Sequence, residues 1–316
     1  MPMVPSDRQN PGRVSAVPPT SAVRGAALRA ALIGRGIGES RTPHMHVAEG
    51  RRLAMSYAYS RIDFDVLGLP DSALGGVVAQ AAREGFAGLN VTYPFKQAII
   101  PHLDALSAEA AGIGAVNTVV FEPASGGGDP RATGHNTDCW GFAESFRREM
   151  AGAALDRVLL VGAGGAGKAV GRALLELGTG ELAIADAEPA RARGLADDLA
   201  VQFGAGRAVA AGDAATAAGV AQGLVNATPV GMDKYPGMPV PGDVLRPDLW
   251  VADVVYFPSR TALLNAAAAQ GCRTMGGRGM AILQAVRAFR LITGQVPDFA
   301  AMAGHFADGA DSSFPA

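Results

Sequence analysis

The residues Gly162-Ala163-Gly164-Gly165-Ala166-Gly167 fill the pattern G-x-G-x-x-G, directly after an apolar run at 158–161 and directly before a helical pattern. A strand that turns through glycines into a helix is a phosphate cradle. Gly162 permits the tight turn, Gly164 lets backbone N–H groups approach a pyrophosphate, and Gly167 allows close helix–strand packing with the phosphates at the positive helix end. Asp186 closes the next strand pattern. A carboxylate there accepts hydrogen bonds from adenosine ribose hydroxyls and repels a 2′-phosphate, so NAD is expected ahead of NADP. Arg191 and Arg193 follow Asp186 and keep a phosphate within reach, which leaves NADP open. Two other clusters carry less chemistry. His44 and His46, with Glu49 nearby, are two residues apart and diverge on a helix, so no metal site is expected. Cys139 has no histidine base assigned to it and reads as a small buried thiol.

The elements that must hold such a loop are legible as alternation. From Leu28 onward, short apolar runs alternate with longer stretches of helical period, the signature of βα units and a parallel or mostly parallel sheet. Strands are expected at 28–33, 57–64, 88–92, 116–121 and 132–135, with helices from Pro43, at 72–83, at 107–113 and at 140–150. Thr42 is the expected N-cap of the helix that opens with Pro43, and Gly126-Gly127-Gly128-Asp129-Pro130 reads as a hairpin connection. A second alternation starts at Arg157, with strands at 158–161, 182–185, 223–226 and 249–255 and helices at 166–177 and 190–203. The Ala-rich stretch at 262–269 reads as close-packed core. The expected fold class is therefore α/β: an N-terminal α/β substrate domain at 27–140, a Rossmann dinucleotide-binding domain at 141–279, and a last helix at 280–293 that returns, with 280–316, to the first domain. Residues 1–26 carry Pro2, Pro5, Pro11, Pro18 and Pro19 among polar residues and read as a disordered lead-in.

Composition narrows the class. The 316 residues suggest about two domains, 49% are hydrophobic, and 27 basic against 29 acidic side chains leave a formal charge of −2. That balance argues against a nucleic-acid partner held through phosphates. Two cysteines, Cys139 and Cys272, are too few for a disulfide framework and fit a reducing cytoplasm, and no apolar run approaches the roughly 18 residues of a membrane span.

Further segments line up with the glycine loop. They are Ser40-Arg41-Thr42-Pro43 with His46 after it, Asn90-Val91-Thr92-Tyr93-Pro94-Phe95-Lys96, Gly114-Ala115-Val116-Asn117-Thr118 and Gly134-His135-Asn136-Thr137-Asp138, then Asn226-Ala227-Thr228-Pro229, Asp253-Val254-Val255-Tyr256, and Gly279-Met280 through Gln284-Ala285. In register from about residue 28 to 295, they resemble the shikimate/quinate dehydrogenases of aromatic-acid metabolism. Gly36-Ile37-Gly38-Glu39 before Ser40, Thr rather than Ser at 42, and Asp186 resemble the NAD-linked quinate/shikimate branch.

The resemblance implies reversible hydride transfer between the nicotinamide and the C3 hydroxyl of quinate or shikimate, giving 3-dehydroquinate or 3-dehydroshikimate. One side chain must then take or return the hydroxyl proton. Lys96 and Asp138 are the candidates, and the resemblance implies that they face each other, Lys96 transferring the proton and Asp138 orienting it. Taken singly, Lys96 also reads as a solvated lysine after a strand, and Asp138 as a turn residue or N-cap of a helix beginning near Trp140. By resemblance Ser40 and Thr42 anchor the substrate carboxylate. Thr92, Asn117, Tyr256 and Gln284 contact the carboxylate and ring hydroxyls, and Thr228 and Gly279 join the cofactor site with Gly162, Ala163, Gly164, Gly165, Ala166, Gly167 and Asp186. The implied partner is a small cyclitol acid, in a homodimer or a monomer. Two other readings stay open: a dehydrogenase of another cyclitol acid such as an aminoshikimate, and a non-catalytic nicotinamide-binding sensor, against which the joint presence of Lys96 and Asp138 counts.

Overall fold

The computed structural model describes residues 28–123 and 128–308; the expected lead-in at 1–26 and the Gly126-Gly127 part of the expected hairpin connection lie outside the described residues. Two six-stranded sheets carry the chain. The first holds β1 (Leu28–Gly34), β2 (Tyr57–Asp63), β3 (Gly88–Val91), β4 (Ala105–Leu106), β5 (Thr118–Glu122) and β6 (Arg131–His135) in the order β2-β1-β3-β5-β6-β4. It is mostly parallel, with β5 antiparallel to both β3 and β6. The second holds β7 (Arg157–Val161), β8 (Glu181–Ala185), β9 (Ala208–Ala210), β10 (Gly223–Asn226), β11 (Trp250–Asp253) and β12 (Arg273–Met275) in the order β12-β11-β10-β7-β8-β9, every pair parallel. This is the doubly wound Rossmann order, whose strand direction of travel reverses between β7 and β10 and leaves a ligand crevice there.

Helices cover both faces of each sheet. They are α1 (Thr42–Arg52), α2 (Leu74–Arg83), α3 (Phe95–Ala98), α4 (Ala108–Ile113), α5 (Asp138–Glu149), α6 (Gly165–Glu176), α7 (Pro189–Phe203), α8 (Ala214–Val220), α9 (Ala262–Ala269), α10 (Arg278–Thr293) and α11 (Phe299–Asp308). α2 shows why: Leu74, Val77, Val78, Ala81 and Ala82 recur at helical spacing and bury one stripe among Ile33, Phe64 and Leu89. Val158, Leu159 and Leu160 are buried on both faces of the second sheet, as a central parallel strand requires. α5 joins the two halves. Its Phe142 and Phe146 share a core with Val158, Val170 and Trp250 of the second half, and its other face crosses α10 so closely that a Cβ on Gly141 would stand 3.0 Å from the Gln284 nitrogen. α10 in turn packs with α1 and α11 around Met45, Ile282 and Met302.

The elements missed by pattern reading are β4, β9 and β12, of two or three residues each, together with α3, α8 and α11. One local expectation is corrected. Thr42 is already inside α1 and Arg41 occupies the N-cap position, with the Ser40 hydroxyl accepting from the Thr42 N–H at 3.4 Å. Arg41 makes no side-chain cap hydrogen bond, so the helix starts without the Thr42 cap that was expected. Among the described residues no helix is long and apolar enough to cross a membrane, and no group of three or more His, Cys, Asp and Glu side chains is placed to hold a metal ion.

His46 has a packing role on α1. It is fully buried, with Nδ1 2.9 Å from the Tyr57 hydroxyl and its ring 4.6 Å from Tyr59 and 5.5 Å from Phe289. Burial lowers its pKa to about 3. The unfolded chain takes up this proton near pH 6.5, so between there and pH 3 the unfolded state binds more protons and stability falls as pH falls, by about 2 kcal/mol at pH 5. His46→Leu should flatten the drop in unfolding free energy between pH 7 and pH 5 by about that amount, read from urea melts at both values. A wild-type drop no steeper than the variant's would contradict a neutral buried ring.

Candidate active site

β3 ends at the C-terminal edge of the first sheet, and the chain turns through Tyr93-Pro94 into α3, which carries Lys96 in its first turn. From β6 the chain turns through Asn136-Thr137 into α5, whose first residue is Asp138. The two turns meet: Lys96 Nζ donates to Asp138 Oδ2 at 2.6 Å, with side-chain exposures of 20% and 7%. The capping duty that Asp138 could have taken is carried by Asn136. Its Oδ1 accepts from the N–H groups of Asp138 and Cys139 at 3.1 and 3.2 Å, and its Nδ2 donates to the Ala115 carbonyl at 2.9 Å. Asp138 is thus left free to point at Lys96, at a helix end whose partial positive charge favours a carboxylate.

Asn117 has a second task that its sequence position did not reveal. It is buried, its Oδ1 accepts from the Thr137 N–H and its Nδ2 donates to the Thr137 hydroxyl, both at 2.8 Å. Behind it the bonds continue through Thr118 to Asn90 and the Tyr59 hydroxyl. This buried chain ties the Asp138 turn to β5 and β3, and leaves one Nδ2 hydrogen of Asn117 for a ligand.

Ser40 and Thr42 lie at the end of the β1–α1 loop, and Thr92 follows the neighbouring parallel strand β3, its N–H donating to the Ile33 carbonyl at 3.0 Å. Asp63 shapes that loop, accepting from the N–H groups of Gly36 at 3.0 Å and Ile37 at 2.8 Å. Tyr256 enters from the other half, after β11. Burial pushes its phenol up, with Asp138 acting in the same direction and Arg41 against it, so all three share one electrostatic neighbourhood. Its ring meets Phe306 of α11 edge-on at 5.7 Å. Gln284 lies on α10 at the crossing with α5, its Nε2 donating to the Ala281 carbonyl at 2.9 Å. Cys139 is buried and donates weakly to Glu176 at 3.8 Å; burial raises its thiol pKa, which makes it inert.

The glycine loop turns at the crevice between β7 and β10. Gly162 has φ +106°, and Gly167 rests against its carbonyl. Asp186 Oδ2 accepts from the Ala163 N–H at 2.7 Å and Oδ1 from Glu188 N–H at 2.9 Å, fixing the carboxylate beside the loop. α6 begins at Gly165 with Ala166 following, and its N-cap Gly164 offers no side chain to the helix end. An uncapped helix terminus, a glycine turn and a fixed carboxylate fit a dinucleotide. Thr228 folds back on Asn226, its hydroxyl donating to Asn226 Oδ1 at 2.7 Å, next to Gly162. A Cβ on Gly279 would collide with Ser145 and Glu149 of α5, so Gly279 can serve a ligand only through its backbone. Gly165 joins the two clusters: a Cβ there would lie 3.2 Å from Lys96 Cβ and 3.3 Å from Lys96 Cδ.

Comparison with known proteins agrees with this geometry. Residues 32–119 match the family described as the shikimate dehydrogenase substrate binding domain. Over 279 residues, covering 88% of this chain and 94% of the relative, the chain is 50% identical to a shikimate dehydrogenase (NADP(+)) of Streptomyces avermitilis. The chain belongs to the shikimate/quinate dehydrogenase family. It is also 46% identical, over 87% of this chain and 96% of the relative, to a quinate/shikimate dehydrogenase (NAD(+)) of Corynebacterium efficiens. Among solved structures, the quinate dehydrogenase from Corynebacterium glutamicum in complex with NAD superposes with a TM-score of 0.81 at 42% identity, covering 89% of this chain and 99% of that one.

In this member of the family the contact between Gly165 and Lys96 is tight enough that an added methyl must displace the lysine stem by tenths of an ångström. Gly165→Ala should lower turnover at saturating substrates about tenfold, because small misplacements of a reacting group are costly. Steady-state rates of the two proteins check this, and an unchanged maximal rate would show that the lysine tolerates the methyl.

Proposed function

We propose that the chain interconverts quinate or shikimate with 3-dehydroquinate or 3-dehydroshikimate, using NAD in preference to NADP. The observation that carries this reading is the Lys96–Asp138 pair lying against Gly165 of the dinucleotide loop. A group able to move a proton and a loop able to hold a nicotinamide dinucleotide thereby share one cleft, and the names of the relatives supply the cyclitol acid. When bound, the nicotinamide accepts the hydride from the ring carbon or returns it.

The chain's own residues manage the proton and the pose. In reduction the Lys96 ammonium gives a proton from Nζ to the ring oxygen, and in oxidation Nζ, having first lost a proton to solvent, takes the proton of the ring hydroxyl. Asp138 holds Nζ by its 2.6 Å hydrogen bond and so fixes the direction of transfer. The hydroxyls of Ser40 and Thr42 receive the carboxylate. Thr92, the remaining Nδ2 hydrogen of Asn117, Tyr256 and Gln284 receive the other polar groups of the substrate. The first sheet with α10 forms the substrate-binding half, and the second sheet forms the cofactor-binding half. Gly162, Ala163, Gly164, Gly165, Ala166, Gly167, Thr228 and the Gly279 backbone cradle the cofactor, and Asp186 takes the adenosine ribose hydroxyls.

The test is nicotinamide absorbance during oxidation of quinate and of shikimate, each with NAD and with NADP. Turnover of both acids mainly with NAD is expected. Lys96→Ala should lose about 10²- to 10⁴-fold in kcat, the usual worth of a positioned acid or base, with cofactor affinity within about twofold of wild type. Asp186→Ser should raise the NADP rate relative to the NAD rate about tenfold, since it removes the charge facing a 2′-phosphate. No turnover in any of the four combinations, or a fully active Lys96→Ala, would overturn the reading.

A further inference from the structure

We propose that the hydroxyls of Thr118 and Tyr59 are positioning groups for the Asp138 carboxylate, acting through a one-way chain of hydrogen bonds that ends on Thr137. The inference deepens the dehydrogenase reading and rests on it. The Asp138 carboxylate has one hydrogen bond among the described residues, to Lys96 Nζ, so its place is inherited from the backbone that carries it. Thr137, the residue before it, is held by Asn117 through both its N–H and its hydroxyl, each at 2.8 Å. What holds Asn117 therefore acts on Asp138.

The direction of the chain follows from one atom. A backbone N–H can only donate, so the Asn117 atom facing the Thr137 N–H is Oδ1. The Thr118 hydroxyl lies 3.1 Å from that same oxygen and must donate to it. Its proton spent, Thr118 Oγ1 accepts from Asn90 Nδ2 at 3.2 Å, which turns Asn90 Oδ1 toward the Tyr59 hydroxyl at 2.7 Å. Tyr59 is thus the first donor, and burial pushes its phenol up, so it keeps the proton it shares. The sheet supplies the spacing. Asn90 and Thr118 stand opposite each other on antiparallel β3 and β5, while β1 lies between Tyr59 on β2 and Asn90 on β3, so the long phenol spans a whole strand. Asn90, Asn117, Thr118 and Thr137 are all buried, and buried bonds in series polarise one another, so cutting one link weakens the rest. Without the Thr118 hydroxyl, Asn90 Nδ2 loses its acceptor and Asn117 Oδ1 loses a donor, and the Thr137 turn relaxes with the amide.

The experiment uses the full chain as wild type, Thr118→Val, Thr118→Ser and Tyr59→Phe, with two readouts: steady-state rates on shikimate and quinate with NAD, and backbone hydrogen exchange read by mass spectrometry. Valine keeps the shape of threonine without its hydroxyl, and serine keeps the hydroxyl. In Thr118→Val, kcat should fall about 10-fold, the cost of a small misplacement, with the KM for NAD within about twofold of wild type. Exchange in peptides spanning 136–140 should quicken about 2- to 10-fold, the worth of one buried hydrogen bond, and exchange in the glycine loop at 162–167 should not change. Thr118→Ser should restore both readouts to within about twofold. Tyr59→Phe, which cuts the chain at its far end, should move both in the same direction by about 2- to 5-fold, and it carries the test where Thr118→Val does not fold. Unchanged exchange at 136–140 in the hydroxyl-deleted variants would overturn the proposal, as would a Thr118→Ser as slow as Thr118→Val. Exchange that quickens equally at 162–167 marks general loosening and overturns it too. Failure of the dehydrogenase reading looks different: the wild type itself turns over neither acid. The exchange comparison still decides the chain in that case, and faster exchange at 136–140 that serine restores sustains it.

Discussion

The structure depends on bringing one lysine and one carboxylate, from turns 42 residues apart in the chain, to 2.6 Å in a site mostly closed to water. Partly desolvating two charges costs free energy that their attraction returns only when the geometry is good, and removing one partner of a buried pair costs about 3–5 kcal/mol. With Lys96 one-fifth exposed, the lower end of that range applies. The folding problem is therefore one of positioning. Lys96 is set by the end of β3 and by the hydrogen bond from the Val116 N–H to its own carbonyl. Asp138 is set by the start of α5, where Asn136 takes over the helix cap and so releases the carboxylate.

That positioning requires the two halves to be joined rigidly at the back of the cleft. α5 carries Asp138 at its first residue and spends the rest of its length packed between α6 and α10, so the carboxylate is fixed to both halves at once. Polar bridges reinforce the junction. Arg287 of α10 pairs with Glu109 of α4 at 2.9 Å, and Gln202 of α7 donates to the Gly112 carbonyl at 2.8 Å while accepting from Arg172 at 2.6 Å. Burial raises the pKa of Glu109 and Arg287 opposes that shift, as expected of a carboxylate held in a crowded seam. On the open side α11 is stapled to α1 by Glu49, whose carboxylate accepts from the Asp298 N–H at 2.7 Å and brings Phe306 onto Tyr256. Tyr256 is thus backed by an element that ends the described chain.

Sequence pattern was sufficient wherever burial is periodic and long. The strands β1 to β3, β7, β8 and β10, the amphipathic α2 and the glycine loop all announce themselves, because apolar periodicity and backbone sterics are written in consecutive residues. The edge strands β4, β9 and β12 were not legible, since two or three residues hold no period and pairing with a neighbour decides them. α11 was hidden for another reason: its first turn is fixed by Glu49, a contact 249 residues away in the chain. Within the site, the residue types at 96 and 138 were readable, but their meeting was expected only from the family resemblance, because residues 42 positions apart carry no local sign of it. The capping role was misassigned at Thr42, because a cap depends on where the backbone leaves the helix, while at Asp138 the N-cap was only the alternative to its pairing with Lys96. Asn117 shows the same limit, as a polar residue near a strand end gives no sign whether its amide faces ligand or, as here, also Thr137.

In the proposed reading cofactor preference is a local electrostatic matter, and relatives of similar overall identity carry different cofactors in their names. Asp186 is pinned by two backbone N–H groups and cannot swing away from an approaching phosphate. Two unit charges at 4 Å interact by about 1 kcal/mol in water and about 4 kcal/mol at the effective dielectric of a protein surface, and a phosphate carries nearly two. Arg191 could offset that repulsion only by leaving Glu188, with which it pairs at 2.8 Å. That pair is more than half exposed, so it is weak and its arginine is mobile. A fixed charge opposes the 2′-phosphate at full strength, whereas a mobile one must first be ordered to attract it, and that ordering costs side-chain entropy. That contrast is the physical basis of the proposed preference for NAD over NADP.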